Sequence, residues 1–487
     1  MENILIAIFL ALTVGYFVFA LKKFDQAVMA LPLFFPAYLL KVQIGGIPFT
    51  LVEAFIYAVF LACLLRFVTG AFKRKVGGHS RGDIGVFLSA PFKHKMFWPI
   101  LLFIAAAAMG VFFTSERITM LDGGTIFYGR KLALGIFKSW IIAPVLMFWL
   151  FTAVVKKTQH LLKLLNFYTV SALLLSLWGL FQVLTQSYGT PDARASGPFE
   201  SANYLALYIS PAVLYMAIRV KESVLSVIHL KKYSFWQMPF RRRKMPLEHP
   251  ENFLFIVAFM VIALVLLFTK SYAAMAAVFV AAVFYFGLEY LEYHKMKEIK
   301  KFPWKLVLAG LLFAVAVMTA IILIDQSKLQ ALFQFQLRNS SSVRVEVYTI
   351  AMQLLKEHWF TGIGLGQFPA FYQLESVRIL GHAPYEWNML HPHNLYLALW
   401  LNMGLPGIIA FFWLIYVMVR NCWGSFRTFA FSKIRQIPKL RVAGFALILI
   451  ILVHGCLDTP FFKNDLALLF WLLVSVTMLP DGENTGG

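Results

Sequence analysis

FLFIVAFMVIALVLLFTKSYAAMAAVFVAAVFYFGLEY, residues 253–290, decides the fold. Two apolar runs, 253–269 and 273–290, meet at the short turn Lys270, Ser271 and Tyr272. Each is close to the length that crosses a hydrocarbon layer about 30 Å thick at a rise of about 1.5 Å per helical residue. The strands of a barrel would alternate apolar and polar side chains, so helices are the expected solution. Outward from this pair, similar runs fall at 3–20, 49–68, 96–113, 138–154, 161–184, 203–220, 305–324, 405–420, 442–457 and 466–479. Residues 28–43, broken by Pro32 and Pro36, read as a short re-entrant stretch. The expectation is an all-α, polytopic transmembrane protein of about 12–13 spans, a single domain over residues 1–487.

Composition points the same way. Of 487 residues, 60% are hydrophobic and 14% charged, which lies outside the range of soluble domains. The net charge of +21 could suggest nucleic acid, but the lysines and arginines lie in short loops between apolar runs. That pattern is topogenic, and it also suits contacts with anionic lipid head groups. Cys63, Cys422 and Cys456 form no CxxC pair and no disulfide framework. The first run, Asn3 to Ala20, lacks a basic leader and a cleavage site and reads as a retained span.

Basic residues cluster in five alternate loops: Lys73 to Lys95, Lys156 and Lys157, Lys231 to Lys244, Lys295 to Lys301, and Arg427 to Arg441. Because such loops stay in the cytoplasm, the opposite ends of the helices are expected to face the exterior. That side has short connections except for one long external loop, 325–392. Within it Val343, Val347, Ile350, Ala351 and Leu354 recur at helical spacing. An amphipathic helix lying on the membrane surface over a cavity is expected there.

Three external segments put polar residues beside helix ends, where they can meet substrate without charge being buried in lipid. DARASGPFESANYLA, 192–206, holds Arg194 and leads through Asn203 into a span. SSVRVEVYTIAMQLLKEHWFTGIGLGQF, 341–368, holds Arg344 and a turn at Gly362, Gly364 and Gly366. HPHNLYLALWLNMGLPG, 391–407, opens a helix with His393 and Asn394. A guanidinium fork matches a diphosphate. The plainer alternatives are an ion pair of Arg344 with Glu346 or Glu357, and a solvated loop charge for Arg194. An imidazole can take a proton from a hydroxyl, which makes His393 the candidate base; a histidine at the membrane interface is the alternative. HPH alone fits metal-ligand motifs poorly, and the GxGxG lacks the strand and βαβ setting of a dinucleotide site. No Walker, GxSxG or HExxH motif occurs in the chain. Neither metal nor cofactor is expected.

The order and wording of these segments resemble the bacterial O-antigen ligase and O-antigen polymerase superfamily. The matching stretches are Arg194 to Ala206, Arg344 to Phe368 and His393 to Gly407, and HGCLDTPFFKND, 454–465, resembles the family's late external turn, with Asp458 in its polar position. The resemblance implies a multi-pass enzyme of the bacterial inner membrane, with its site facing the periplasm. Such an enzyme moves a glycan from a polyprenyl diphosphate to an acceptor hydroxyl without nucleotide sugar or metal. Acceptors in the family are lipid A core for a ligase, a second lipid-linked glycan for a polymerase, and protein for an O-oligosaccharyltransferase. Carried over, Arg194 and Arg344 would hold diphosphate, His393 would activate the acceptor, and Asn203, Asn394, Asp458 and Tyr272 would support them. Many members carry Ser-Arg-Gly where this chain has Lys270, Ser271 and Tyr272, so Lys270 replaces one diphosphate contact or the contact is lost. The ligase-like reading is preferred. The rival from another class is a transporter of lipid-linked glycans, for which internal repeats would be expected and are not evident.

Overall fold

A computed structural model describes residues 2–69, 94–116, 118–119, 126–127, 129–155, 157–190, 193–232, 250–293, 308, 312, 340–429 and 436–478. The fold is all-α and polytopic. Six helices among the described residues are long and apolar enough to cross a membrane: Ile4–Lys22, Gly129–Val154, Thr158–Thr185, Ala202–Ser223, Tyr272–Tyr290 and Leu395–Ser425. Four shorter apolar helices, Phe24–Leu39, Phe97–Phe112, Phe253–Phe268 and Asn464–Thr477, accompany them. The expected span 305–324 lies outside the described residues, apart from isolated positions, as do the first part of the long loop and the basic stretches 73–93, 241–244 and 295–301.

In chain order the helices are α1 (Glu2–Lys22), α2 (Phe24–Ala30), α3 (Leu51–Val68), α4 (Phe97–Phe112), α5 (Gly129–Ile136), α6 (Ala143–Val154), α7 (Thr158–Thr185) and α8 (Ala202–Lys232). They continue as α9 (Pro250–Phe268), α10 (Tyr272–Tyr293), α11 (Ser340–Glu357), α12 (Phe368–Leu380), α13 (Leu395–Phe429), α14 (Gln436–His454) and α15 (Asn464–Thr477). In α15 every residue from Asp465 to Thr477 is buried, so this helix forms the centre of the bundle.

The stretch broken by Pro32 and Pro36 continues α2 as a 3-10 helix, Leu31–Leu39, because two prolines remove the amides that an α-helical ladder needs. It leads into a hairpin of β1 (Lys41–Ile44) and β2 (Ile47–Thr50), closed by Gly45 and Gly46 at φ 61° and 79°. Positive φ at both turn residues is what a tight two-residue hairpin requires. Beyond it, Glu53 accepts the Thr50 amide at 2.8 Å and pairs with Lys138 at 2.8 Å. Lys138 lies in a π-helical turn, Phe137–Ile142, that joins α5 to α6.

The apolar stripe of α11 is buried as its spacing predicts, but inside the protein rather than against lipid. Val347, Ile350, Ala351 and Leu354 pack with Ile363, Phe368, Tyr372 and Leu401 in a small core of their own. A membrane-surface helix needs lipid for its apolar face, and here α12 and the start of α13 supply that cover instead.

The GxGxG turn seats this unit on the bundle. At Gly404 (φ 65°, ψ −169°) α13 leaves helical geometry, just before Pro406. The Ile363 amide donates to Leu401 O at 2.7 Å, the Gly366 amide to Asn402 Oδ1 at 2.7 Å, and the Leu405 amide to Phe360 O at 3.0 Å. At Gly364, φ 98°, a Cβ would collide with Thr114 and lie 3.0 Å from Gly110 O. The glycines therefore allow backbone to lie on backbone.

Candidate functional site

The start of α13 is fixed by Asn394, whose Oδ1 accepts the amides of Tyr396 at 2.9 Å and Leu397 at 3.0 Å. Its side-chain amide donates to Cys456 O at 3.0 Å, so this residue caps the helix and ties it to the turn after α14. His393, one residue earlier, has φ 47°, a conformation uncommon outside glycine. It is held there by the Tyr348 hydroxyl, which donates to His393 O at 3.0 Å, and by its own amide, 3.4 Å from His391 Nδ1. The result aims the His393 ring at Asp458: Nδ1 lies 3.6 Å from Oδ1, with the imidazole 24% exposed and the carboxylate 4%. That is long for a formed hydrogen bond. It is short enough for a protonated imidazole to make an ion pair.

Asp458 is placed by the turn after α14, its amide donating to His454 O at 3.0 Å and its Oδ1 accepting the Thr459 amide at 2.8 Å. Burial by itself would raise its pKa, but His393, His391 and His454 around it outweigh that and hold the carboxyl below its usual range. His391 moves the other way. Burial, helped by the charge of His393, pushes it down to about 4, so it stays neutral near pH 7. The structure thus separates an anionic carboxylate, a neutral histidine and the candidate base within one corner.

Arg344 completes this corner. It is half-buried, and among the described residues it makes no hydrogen bond or ion pair. Its charge bears on the Tyr348 hydroxyl and on His454, which places it beside the imidazole corner. The ion-pair alternative is not what forms: Glu346 accepts the Tyr385 amide at 2.9 Å and lies 3.8 Å from His382, while Glu357 pairs with Arg378 at 3.0 Å.

Arg194 is more constrained. Nε donates to Thr269 O at 2.6 Å and Nη2 to Asn203 Oδ1 at 2.7 Å, so it joins the 193–199 loop to the end of α9 and the start of α8. It is not a solvated loop charge. Asn203 orients this guanidinium, and Lys270, exposed at φ 50°, sits on the turn whose Thr269 carbonyl Arg194 grips. Tyr272, half-buried, opens α10 on the same turn. Tyr204, next to Asn203, brings the two clusters together, with its ring centroid 6.2 Å from that of His391.

Four residues escaped the sequence reading as members of the site: Tyr348, His391, His454 and Lys463. His454 is buried, and among the described residues both its ring nitrogens lack a hydrogen-bond partner. Lys463 Nζ lies 3.9, 4.5 and 4.8 Å from the ring centroids of Phe199, Tyr204 and Tyr38, and 3.3 Å from Asp465. Lys463 and Asp465, an ionisable pair among the apolar residues between the last two spans, were the available signal, since charge at the edge of a membrane segment is costly to keep.

His391, His393 and Asp458 could present ligand atoms within 4.8 Å of one another, so a divalent cation is what this corner could hold. Bonds of about 2.0–2.2 Å to zinc would require these side chains to draw closer together.

A polytopic helical membrane protein with a carboxylate-backed histidine beside a half-buried arginine is the class that fold and site define. Residues 255–412 match the family described as O-antigen ligase, which supports placing the chain in the O-antigen ligase and polymerase superfamily. The match takes in Lys270, Arg344, His393 and Asn394; Arg194 and Asp458 fall outside it. No curated protein matches the chain. The family supports a membrane glycosyltransferase of the ligase or polymerase kind, and the apolar helices with it suggest the bacterial inner membrane.

Proposed function

We propose that this protein transfers an oligo- or polysaccharide from a polyprenyl diphosphate to an acceptor hydroxyl at the periplasmic face of the inner membrane, as an O-antigen ligase does, with lipid A core as acceptor. The observation that carries the reading is the pairing of His393 with Asp458 beside an arginine that has no partner of its own among the described residues. With Nδ1 turned to Asp458, Nε2 of His393 takes the acceptor proton as the hydroxyl oxygen attacks the anomeric carbon. The bond from that carbon to diphosphate oxygen breaks, and the leaving diphosphate keeps the electron pair. Arg344 holds its negative charge, with Arg194 and Lys270 on the neighbouring turn; fixed cations in a water-poor cavity are effective at this. Asp458 then stabilises the imidazolium. The step needs neither nucleotide nor metal.

Orientation follows from charge. Lys157, Lys231, Lys232, Lys439 and Arg441 lie at the opposite ends of the helices whose other ends carry the site, and such residues are retained in the cytoplasm. The 325–392 segment is then the external cover.

Purified protein in detergent, given lipid-linked glycan and lipid A core in the presence of chelator and without nucleotide, is expected to form product. Product that forms only on a second lipid-linked glycan, or on protein, moves the assignment to polymerase or O-oligosaccharyltransferase. Lipid translocation in liposomes with no transfer to any acceptor sinks the enzyme reading in favour of a transporter. Cysteines introduced at 242 and 378 test the orientation: an impermeant reagent should label 378, and labelling of 242 alone reverses it.

A further inference from the structure

Arg344, Tyr348, Met352 and Lys356 follow one another at four-residue steps and so line one face of α11. The first two belong to the corner around His393. Beyond Tyr348 the same face opens into a groove of about 620 Å³, walled by Val345, Tyr348, Thr349, Met352 and Gln353 and, from α12, Ile379. Nothing in the mechanism above uses it.

Three observations define what it could bind. The groove adjoins the site, because Tyr348 lines it while the Tyr348 hydroxyl donates to the His393 carbonyl at 3.0 Å. It is also close to electrically neutral. Arg378 lines it, but that guanidinium is already taken by both oxygens of Glu357, at 3.0 Å each, and by Glu375. Lys356 is then a single ammonium with no ion pair among the described residues, too little for a second diphosphate site. Finally, the walls alternate in character: exposed Val345 and Met352 stand beside Thr349 and Gln353. The Thr349 hydroxyl donates to Val345 O at 2.9 Å and keeps its acceptor side; the Gln353 amide nitrogen donates to Glu357 at 2.8 Å and leaves its carbonyl oxygen to accept. A lipid tail would want continuous apolar wall. Pyranose rings, with C–H faces and hydroxyl edges, want this mixture.

We propose that the groove is the subsite for the saccharide of the acceptor, and the proposal rests on the transfer reading above. Tyr348 puts one end of the groove next to His393, and none of its lining residues belongs to the Arg194 and Lys270 turn. A glycan lying along it would therefore present a hydroxyl to the base while the donor diphosphate occupies Arg344.

Thr349→Trp lays an indole across the groove from an exposed position and leaves the buried stripe of α11 untouched. With full-length protein in detergent, polyprenyl diphosphate-linked glycan as donor and lipid A core as acceptor, the acceptor KM is expected to rise about tenfold, the equivalent of losing one or two well-made polar contacts. The donor KM, and kcat at saturating acceptor, should stay within about twofold. Met352→Ala and Gln353→Ala, milder changes, should raise the acceptor KM about threefold and keep the test decisive should the indole disturb folding. An acceptor KM unchanged in all three variants overturns the proposal, and a rise in donor KM instead gives the groove to the donor glycan and overturns it equally. Wild-type protein that transfers normally while the variants are indifferent sinks the groove alone; wild-type protein that transfers to no acceptor sinks the functional reading beneath it.

Discussion

Asp458→Asn is the most informative single change at this site. The asparagine keeps the volume and an oxygen for the Thr459 amide, now held at 2.8 Å, but loses the charge 3.6 Å from His393 Nδ1. At that separation two unit charges interact by about 4–5 kcal/mol at an effective dielectric of about 20. His393 is 24% exposed, so solvent takes part of this, and a net loss of about 2–3 kcal/mol remains for the imidazolium formed in transfer. That corresponds to a fall in kcat of roughly thirty- to more than a hundredfold. Donor binding should barely change, since the diphosphate cations are untouched. Without the carboxylate the imidazolium that forms during transfer is less stable, so the loss should fall on turnover and not on donor binding. The assay is steady-state transfer by purified protein, with thermal unfolding as the folding control. A folded variant with kcat within threefold of wild type would refute Asp458 as the support of the base.

Further outcomes follow from the same geometry. His393→Ala should abolish transfer while donor binding survives, and a well-folded variant with near-normal rates would leave His393 a packing residue. Arg344→Ala should weaken donor binding and turnover by about ten- to a hundredfold, the range of a charge-assisted contact, and Arg344→Lys should restore only part; full restoration by lysine would argue against a bidentate contact. Gly364→Ala, forced against Thr114 and 3.0 Å from Gly110 O at a positive φ, should cost about 2 kcal/mol or more, and an unchanged melting temperature would mean the glycine turn is not seated as described. Because burial pushes His391 from 6.5 down to about 4, the unfolded chain takes up a proton between those values that the folded chain refuses. Stability should therefore fall on acidification through that window, by up to about 3 kcal/mol, and His391→Gln should flatten this slope; an identical slope in the variant would exclude His391 as its cause.

The sequence by itself determined the solvent and the secondary structure: runs such as 253–269 and 273–290 can satisfy their backbones in lipid only as helices. It also picked out the stripe of α11, because a period of 3.6 is local information, and it picked out His393, Arg344 and Arg194 as unusual residues at helix ends. Their relations were not legible. That Arg344 has no ion partner among the described residues depends on Glu346 and Glu357 being engaged by Tyr385 and Arg378, neither of which is marked in the sequence. The division of labour within HPHN, with His391 neutral, His393 turned to a carboxylate and Asn394 capping a helix, depends on a turn more than sixty residues away. The GxGxG reads as a turn and residues 405–420 as a span, yet the GxGxG and the GLPG are two halves of one contact, at which α13 breaks. Periodicity and composition travel along the chain; partners, burial and the direction of a side chain arise only when distant segments exclude water from one another, and that was decided by the tertiary structure alone.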